Sequence, residues 1–531
     1  MLGRKYLFHF LLIGLVLTVI ASNFFWLKFT DMVIPFISAP RSLVFYECAF
    51  RNIGCLPTVV SSFTYYPPLH PLFIMLYHSI FGPEKFVPMA VNSTCLIIAL
   101  ISVYMICKRI SGSKAGLLAA FITITYPAVF ILARTDHMEY MLFSLIALAL
   151  YFFVCTQSFK NRKYSVLLGI VLGLGMLTKW TYAAYIAGAF FFSILLIFTK
   201  EFEKKQLKNL ILTALIAVMI SAVWYIRLDM RYFFGSIGNE AENLLLSDRI
   251  FFFFNVLKMY ISLPYTILFI GALLIFIINI KKTSSVFFVL LLLIITPYVI
   301  FSLIPHVEPR YFLPVLSQVS CLTSLGVFKI PNRLIRRTLV SVIILIGLSN
   351  LVIYFDALPL TSGLFRKVSF IGLKNSSKIF EDITQVINDS SGNSKVYIAT
   401  SPFNGFDSYH SNSECISYRL SLEYLNGRNR NIRFKGFGMA SFKEFPYEID
   451  NIDFLIVTER ALEDDYSSNQ IRSDCRKFAR EEDHNVEELY KDDPSYRKLI
   501  MDNFVFLEEF PLRSESNVLL YKNKQQISNK V

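Results

Sequence analysis

Apolar runs near the roughly 20 residues that an α-helix needs to cross a bilayer recur through the first two thirds of this chain, and nothing else constrains its fold as strongly. They lie at about 10–28, 87–107, 115–133, 138–157, 164–181, 182–199, 208–228, 252–279, 284–304, 312–329 and 338–355. With 54% hydrophobic residues, 51 Phe and only 17% charged residues, a soluble chain of this length would have more apolar surface than it could bury. The expectation is a polytopic α-helical membrane protein with about eleven transmembrane helices. The stretch from Pro68 to Phe81 is apolar but short, carries His70 and His78, and opens on two prolines. It reads as an interfacial helix.

Charge orients the spans. With a cytoplasmic N-terminus, the inner loops carry Arg4 and Lys5; Lys108, Arg109 and Lys114; Lys160, Arg162 and Lys163; Lys204, Lys205 and Lys208; Lys281 and Lys282; and Arg333, Arg336 and Arg337. That distribution follows the positive-inside rule. The alternate loops hold Asp31, Glu47, Asp136, His137, Glu139, Asp229, Glu240, Glu242, His306 and Glu308, so their chemistry is expected on the outer side. The net charge of +13 is then a property of short loops beside anionic lipid, and nucleic acid is not an expected partner. Phe24, Phe25, Trp26 and Lys28 stand where a signal peptide would need small residues, so the first span reads as a retained anchor.

An odd number of spans leaves the C-terminus outside. The expected organisation is a transmembrane domain over 1–355, with a first outer loop at 29–86, and a soluble extracytoplasmic α/β domain over 356–531. Strand-like runs at 395–399 (KVYIA), 454–457 (FLIV) and 518–521 (VLLY), separated by helix-like stretches, carry that second reading. Of eight cysteines, Cys95, Cys107, Cys155 and Cys321 fall in spans or at their ends, as small packing residues. Cys48, Cys55, Cys415 and Cys475 lie outside, and two disulfides or four thiols both fit. No CxxC or HExxH pattern supports a zinc site of either kind.

Four outer positions carry candidate chemistry. Asp31, in LKFTDMVIP, is a carboxylate at the membrane interface that could act as general base or merely end a helix. Asp136, in ILARTDHMEYMLF, is the second such acid, or a helix cap; ionisable groups this close to a bilayer are costly and tend to be functional. Arg310, with Tyr311 in IPHVEPRYFLP, has the planar fork that clamps a phosphate, or it snorkels to headgroups. Lys179, in GLGMLTKWTY, either reaches the interface beside Trp180 or pairs with an acid. His306, Glu308, Glu47, His137 and Glu139 are the candidate ligands of a divalent metal ion.

Taken in order, the acid after the first span, YYPPLHPLF at 65–73, Asp136 running into an apolar helix, GLGMLTKW and EPRYFLP resemble the C-type (GT-C) membrane glycosyltransferases. Within them the chain is similar to the branch of the protein O-mannosyltransferases and the lipid A aminoarabinose transferase. The resemblance covers roughly residues 1 to 330. It implies a plasma (inner) membrane enzyme that takes a sugar from a polyprenyl-phosphate donor to a lipid, glycan or protein acceptor at the outer face, with inversion at the anomeric carbon. By position it implies that Asp31 and Asp136 are the catalytic acids, that Arg310 meets the donor phosphate, and that Tyr66, Pro67 and Pro68 shape the cavity floor. Many relatives have two acids after the first span, whereas Asp31 is followed by Met32; Glu47 is the substitute base. Tyr66 stands where the aminoarabinose enzyme has Lys, so the resemblance implies that this phosphate contact is either lost or moved to His70. A transporter or flippase of an anionic or lipid-linked substrate is the alternative, with Arg310 and Lys179 as guides, although the hydropathy shows no matched pair of broken helices. An outward-facing scaffold is the third class.

Overall fold

The structure is a computed structural model that describes residues 2–30, 38–50, 66–198, 203–226, 246–278, 285–304 and 308–355, with short stretches beyond, chiefly strands. Its helices are α1 (Leu2–Thr30), α2 (Ser38–Phe50), α3 (Leu69–Phe81), α4 (Val87–Ser111), α5 (Ser113–Ile124), α6 (Pro127–Leu132), α7 (Met138–Thr156), α8 (Arg162–Thr178), α9 (Tyr182–Ile197) and α10 (Lys204–Tyr225). There follow α11 (Leu246–Ile261), α12 (Leu263–Ile278), α13 (Ser285–Leu303), a 3-10 turn (Pro309–Val315), α14 (Leu316–Lys329) and α15 (Arg333–Tyr354). Among the described residues, the body of each apolar run lies in one of these helices or in a consecutive pair.

Among the described residues seven elements are long and apolar enough to cross a membrane: α1, α4, α7, α10, α13, the Pro309–Lys329 element and α15. An eighth is the pair α11 and α12, bent by 110° at Ser262, whose φ is 77°. The run 115–133 is also divided, at Thr125 and Tyr126, because Pro127 lacks the amide a continuous helix needs and instead opens α6. Asn350 of α15 closes both breaks: its Nδ2 donates to the Thr125 carbonyl and to Ser262 Oγ, each at 3.2 Å.

Helix starts at the basic loops are capped by their own sequence. Asn161 accepts from Tyr164 N at the head of α8, and Asn332 accepts from Leu334 N and Ile335 N at the head of α15. Glu203 and Gln206 form a reciprocal capping box on α10. In α8 the spacing Gly169, Gly173 lets α10 approach closely. A Cβ on Gly169 would lie 2.7 Å from the Thr213 carbonyl oxygen, and one on Gly173 the same distance from Ile220 Cβ.

Two compact units are distinguished: Met1–Trp26, Pro57–Phe73 and Pro88–Lys367 in the first; Leu27–Leu56, Ile74–Val87 and Val368–Val531 in the second. Apart from α2 and the C-terminal part of α3, which belong to the second, the first holds the helices just described and a short antiparallel ladder of β1 (Ala357–Leu358) and β2 (Arg366–Lys367). The second holds five strands, β3 (Val396–Thr400), β4 (Ile432–Gly436), β5 (Phe454–Thr458), β6 (Phe504–Phe510) and β7 (Val518–Asn523), in the order β4-β3-β5-β7-β6. β3 runs parallel to β4 and β5, while β7 runs antiparallel to β5 and β6. The three strand-like runs read from the sequence lie in β3, β5 and β7. Cys48, on α2, is disulfide-bonded, and Cys95, Cys107, Cys155 and Cys321 are buried free thiols. Cys55, Cys415 and Cys475 lie outside the described residues.

Candidate functional site

Connectivity brings three helix ends of the first unit together. α7 follows the 133–137 loop, α8 ends at Lys179, and the 3-10 turn opens at Pro309. The far ends of the same elements run into Lys160, Arg162, Lys163, Lys329 and Arg333. Acids therefore collect where α7 begins, and basic residues where it ends.

The 133–137 loop is buried throughout. Its backbone is held by Asn92 of α4, whose Nδ2 donates to the carbonyl of Ala133 at 3.1 Å and to that of Thr135. Asp136, 1% exposed, projects from this loop, and its Oδ1 lies 3.8 Å from His70 Nδ1 on α3. Asp136 is not the helix cap: the N-cap position of α7 is His137, which makes no side-chain cap bond. Both imidazoles are neutral near pH 7. Loss of hydration on burial takes His70 down to about 3, and burial followed by the adjacent Arg310 takes His137 down to about 4.

Glu139, in the first turn of α7, is the hub of the charges. Its Oε1 accepts from Lys179 Nζ at 2.6 Å and lies 3.6 Å from Arg310 Nε. Lys179 thus pairs with an acid, which a buried ammonium requires. Its Nζ also sits 5.3 Å from the centre of the Tyr66 ring and 5.1 Å from that of Tyr311, between two aromatic faces that attract a cation. Tyr311 is fixed in turn: Tyr185 Oη donates to its carbonyl at 2.7 Å, and Phe301 stacks on its ring at 4.9 Å. Arg310 continues outward, donating from Nη2 to Glu308 Oε1 at 3.2 Å. Exposure rises along this line, from 1% for the side chains of Lys179 and Glu139 to 14% for Arg310 and 25% for Glu308.

The fold therefore assembles Tyr66, His70, Asp136, His137, Glu139, Lys179, Glu308, Arg310 and Tyr311 in one place. Glu47 lies on α2 in the second unit, and Asp31 and His306 lie outside the described residues. Among the described residues no group of three or more His, Cys, Asp or Glu side chains is placed to hold a metal ion; the carboxylate of Glu139 is already shared by two cations.

Three residues did not figure among the sequence candidates. Asn92 and Tyr185 place the loop and the ring by hydrogen bonds to backbone, which no motif announces. Arg134 is fully buried, donating from Nε to Asn23 Oδ1 at 2.9 Å and from Nη2 to the Phe355 carbonyl at 2.8 Å, so it ties α1 and the end of α15 to the loop that carries Asp136. Its signal was available: a charge closing the 115–133 run is as anomalous as Lys179 in its own run.

Residues 66–226 match the sequence profile of a family described as dolichyl-phosphate-mannose-protein mannosyltransferase. That segment contains all the assembled site residues up to Lys179. No curated protein matches the chain. Among solved structures it is similar to ArnT from Cupriavidus metallidurans in the apo state, with a TM-score of 0.59 and 12% identity, covering 98% of both chains. The same protein bound to undecaprenyl phosphate gives a TM-score of 0.59 and 11% identity, covering 96% of this chain and 97% of that one. At such identity the likeness is one of fold, and it extends over nearly the whole chain. The resemblance to the C-type membrane glycosyltransferases read from the motifs is thus borne out, as is the polytopic helical fold class.

Proposed function

We propose that this chain is an integral membrane glycosyltransferase that moves a sugar from a polyprenyl-phosphate donor to an acceptor at the extracytoplasmic face, inverting the anomeric carbon. The observation that carries the reading is the convergence, at one end of the helices, of a buried carboxylate, Asp136, with the Lys179–Glu139–Arg310 charge line. The profile match over 66–226 and the solved complex of a similar fold with undecaprenyl phosphate support the donor class. The basic loops at the opposite helix ends support the orientation, with the site and the C-terminal domain outside.

In the proposed reaction an acceptor hydroxyl attacks the anomeric carbon as the bond from that carbon to the phosphate oxygen breaks. The bonding pair leaves with the polyprenyl phosphate, and the hydroxyl proton passes to a carboxylate, Asp136 or Asp31. Arg310 faces the charge that develops on the leaving phosphate, where a fixed guanidinium stabilises the transition state more than the ground state. Lys179 is less suited to touch the donor, being enclosed by Tyr66, Tyr311 and Glu139. The sugar, hexose or pentose, and the acceptor, whether lipid, glycan or protein, are to be read from the assay.

Transfer of radiolabelled sugar from a set of polyprenyl-phosphate sugars, by the full chain in lipid nanodiscs, tests the reading. Label in an acceptor or in released sugar, lost in Asp136→Asn at unchanged protein yield, is the expected result. Uptake of the intact donor into sealed vesicles without bond cleavage would favour a flippase instead. Chelation in the same assay reads out a divalent-ion requirement.

A further inference from the structure

Arg310 meets two carboxylates in different surroundings. Glu139 is buried and shared with Lys179 at 2.6 Å, so it cannot leave without stranding an ammonium between two aromatic rings. Glu308 holds Arg310 from the open side, at 3.2 Å, with its side chain 25% exposed. Water can solvate it when it moves away, since a quarter of its side chain is already exposed. Within this network two cations are balanced by two carboxylates. A phosphodiester donor brings one negative charge, so its phosphate can replace Glu308 with no change in the total charge of a largely buried site. Replacing Glu139 instead would leave Lys179 without its carboxylate.

We propose that the two acids act oppositely on the donor: Glu139 is a positioning residue that holds the Arg310 guanidinium, and Glu308 is a resident anion that occupies the phosphate's place and yields to it. The proposal rests on the reading of the site as one for a polyprenyl phosphate, and it names how that ligand enters.

Undecaprenyl phosphate titrated into the full chain in nanodiscs separates the two roles, with undecaprenol as the uncharged control. Glu308→Gln removes the competitor and should tighten binding of the phosphate several-fold. Glu139→Gln should weaken it, of the order of tenfold, while binding of undecaprenol changes in neither variant. Because Glu139→Gln alone strands Lys179 and could unfold the protein, the double variant Glu139→Gln, Lys179→Met removes both partners. The double variant should recover the folded yield yet still bind the phosphate weakly, since Arg310 has lost its anchor. Wild-type affinity in the double variant would reduce Glu139 to a purely structural role, and unchanged or weakened binding in Glu308→Gln would end the exchange. If the wild-type chain binds undecaprenyl phosphate no better than undecaprenol, the donor reading itself fails.

Discussion

The Pro309–Lys329 element and α15 are neighbours in sequence, 21 and 22 residues long, and opposite in surroundings. Over the most apolar 18-residue window of each, the first has the lower mean hydropathy, 1.4 against 1.9, yet 94% of its window is buried against 17% of that in α15. In water the more apolar helix would take the interior. In lipid it does not, because hydrocarbon solvates Leu and Ile as well as a protein core does, whereas a hydroxyl or amide needs a partner. Inside, Ser320 Oγ accepts from Thr123 at 2.6 Å and Ser324 donates to the Ala115 carbonyl at 2.8 Å. On α15 the buried residues are Ile343, Gly347 and Asn350, a narrow stripe at helical spacing; Leu345 and Val352 are 65% and 78% exposed.

The two arginines at the heads of these elements give the largest contrast. Arg310→Ala should cost about 100-fold or more in sugar transfer, as loss of a charge-stabilising donor does, and Arg333→Ala, at an exposed helix start, should change it little. Equal losses measured side by side would break the comparison.

A second test concerns packing. A Cβ on Gly326 would lie 2.6 Å from Ala272 Cβ, so Gly326→Leu should lower stability by about 3 kcal/mol, seen as a lower melting temperature in detergent. The polar interior also has a pH signature that lipid-facing helices lack. His70 and His137 are neutral in the fold down to about 3 and 4, while unfolded imidazoles take protons from pH ~6.5 downward. Folding stability should therefore fall as pH drops below 6.5, by up to about 1.4 kcal/mol per unit for each histidine, and level off near the folded values. The melting temperature at pH 5 should be lower than at pH 7, and His70→Gln should shrink that difference.

Smaller effects belong to α15. Asn350→Leu removes the side chain that closes two helix breaks and should cost about 1–2 kcal/mol, while Leu345→Ala should stay within about 0.5 kcal/mol. If those two lowered the melting temperature equally, the inward stripe of α15 would have no special weight.

Much of this was legible in advance, for identifiable reasons. The spans were readable because crossing a bilayer demands a length of apolar chain whatever surrounds it. Lys179, Asp136 and Arg310 were readable because charge in or beside such a run is costly without a partner. The hub was not. Glu139 stood among candidate metal ligands, since sequence shows an acid near a histidine but not the ammonium 40 positions away that occupies it. The division of the 252–279 run was equally hidden: Ser262 does not break a helix by composition, and its conformation is sustained by Tyr265, Thr125 and Asn350 packed around it.

By itself the sequence determined that this is a chain of membrane helices, which loops are basic, and which residue types stand beside the bilayer, because those follow from local length, polarity and spacing. Only the tertiary structure decided which acid meets which cation, which helix is inside, and which carboxylate on Arg310 is enclosed and which is partly open to water. Such pairings depend on distances between residues far apart in the chain, and one buried carboxylate can satisfy only the cations that the fold brings to it.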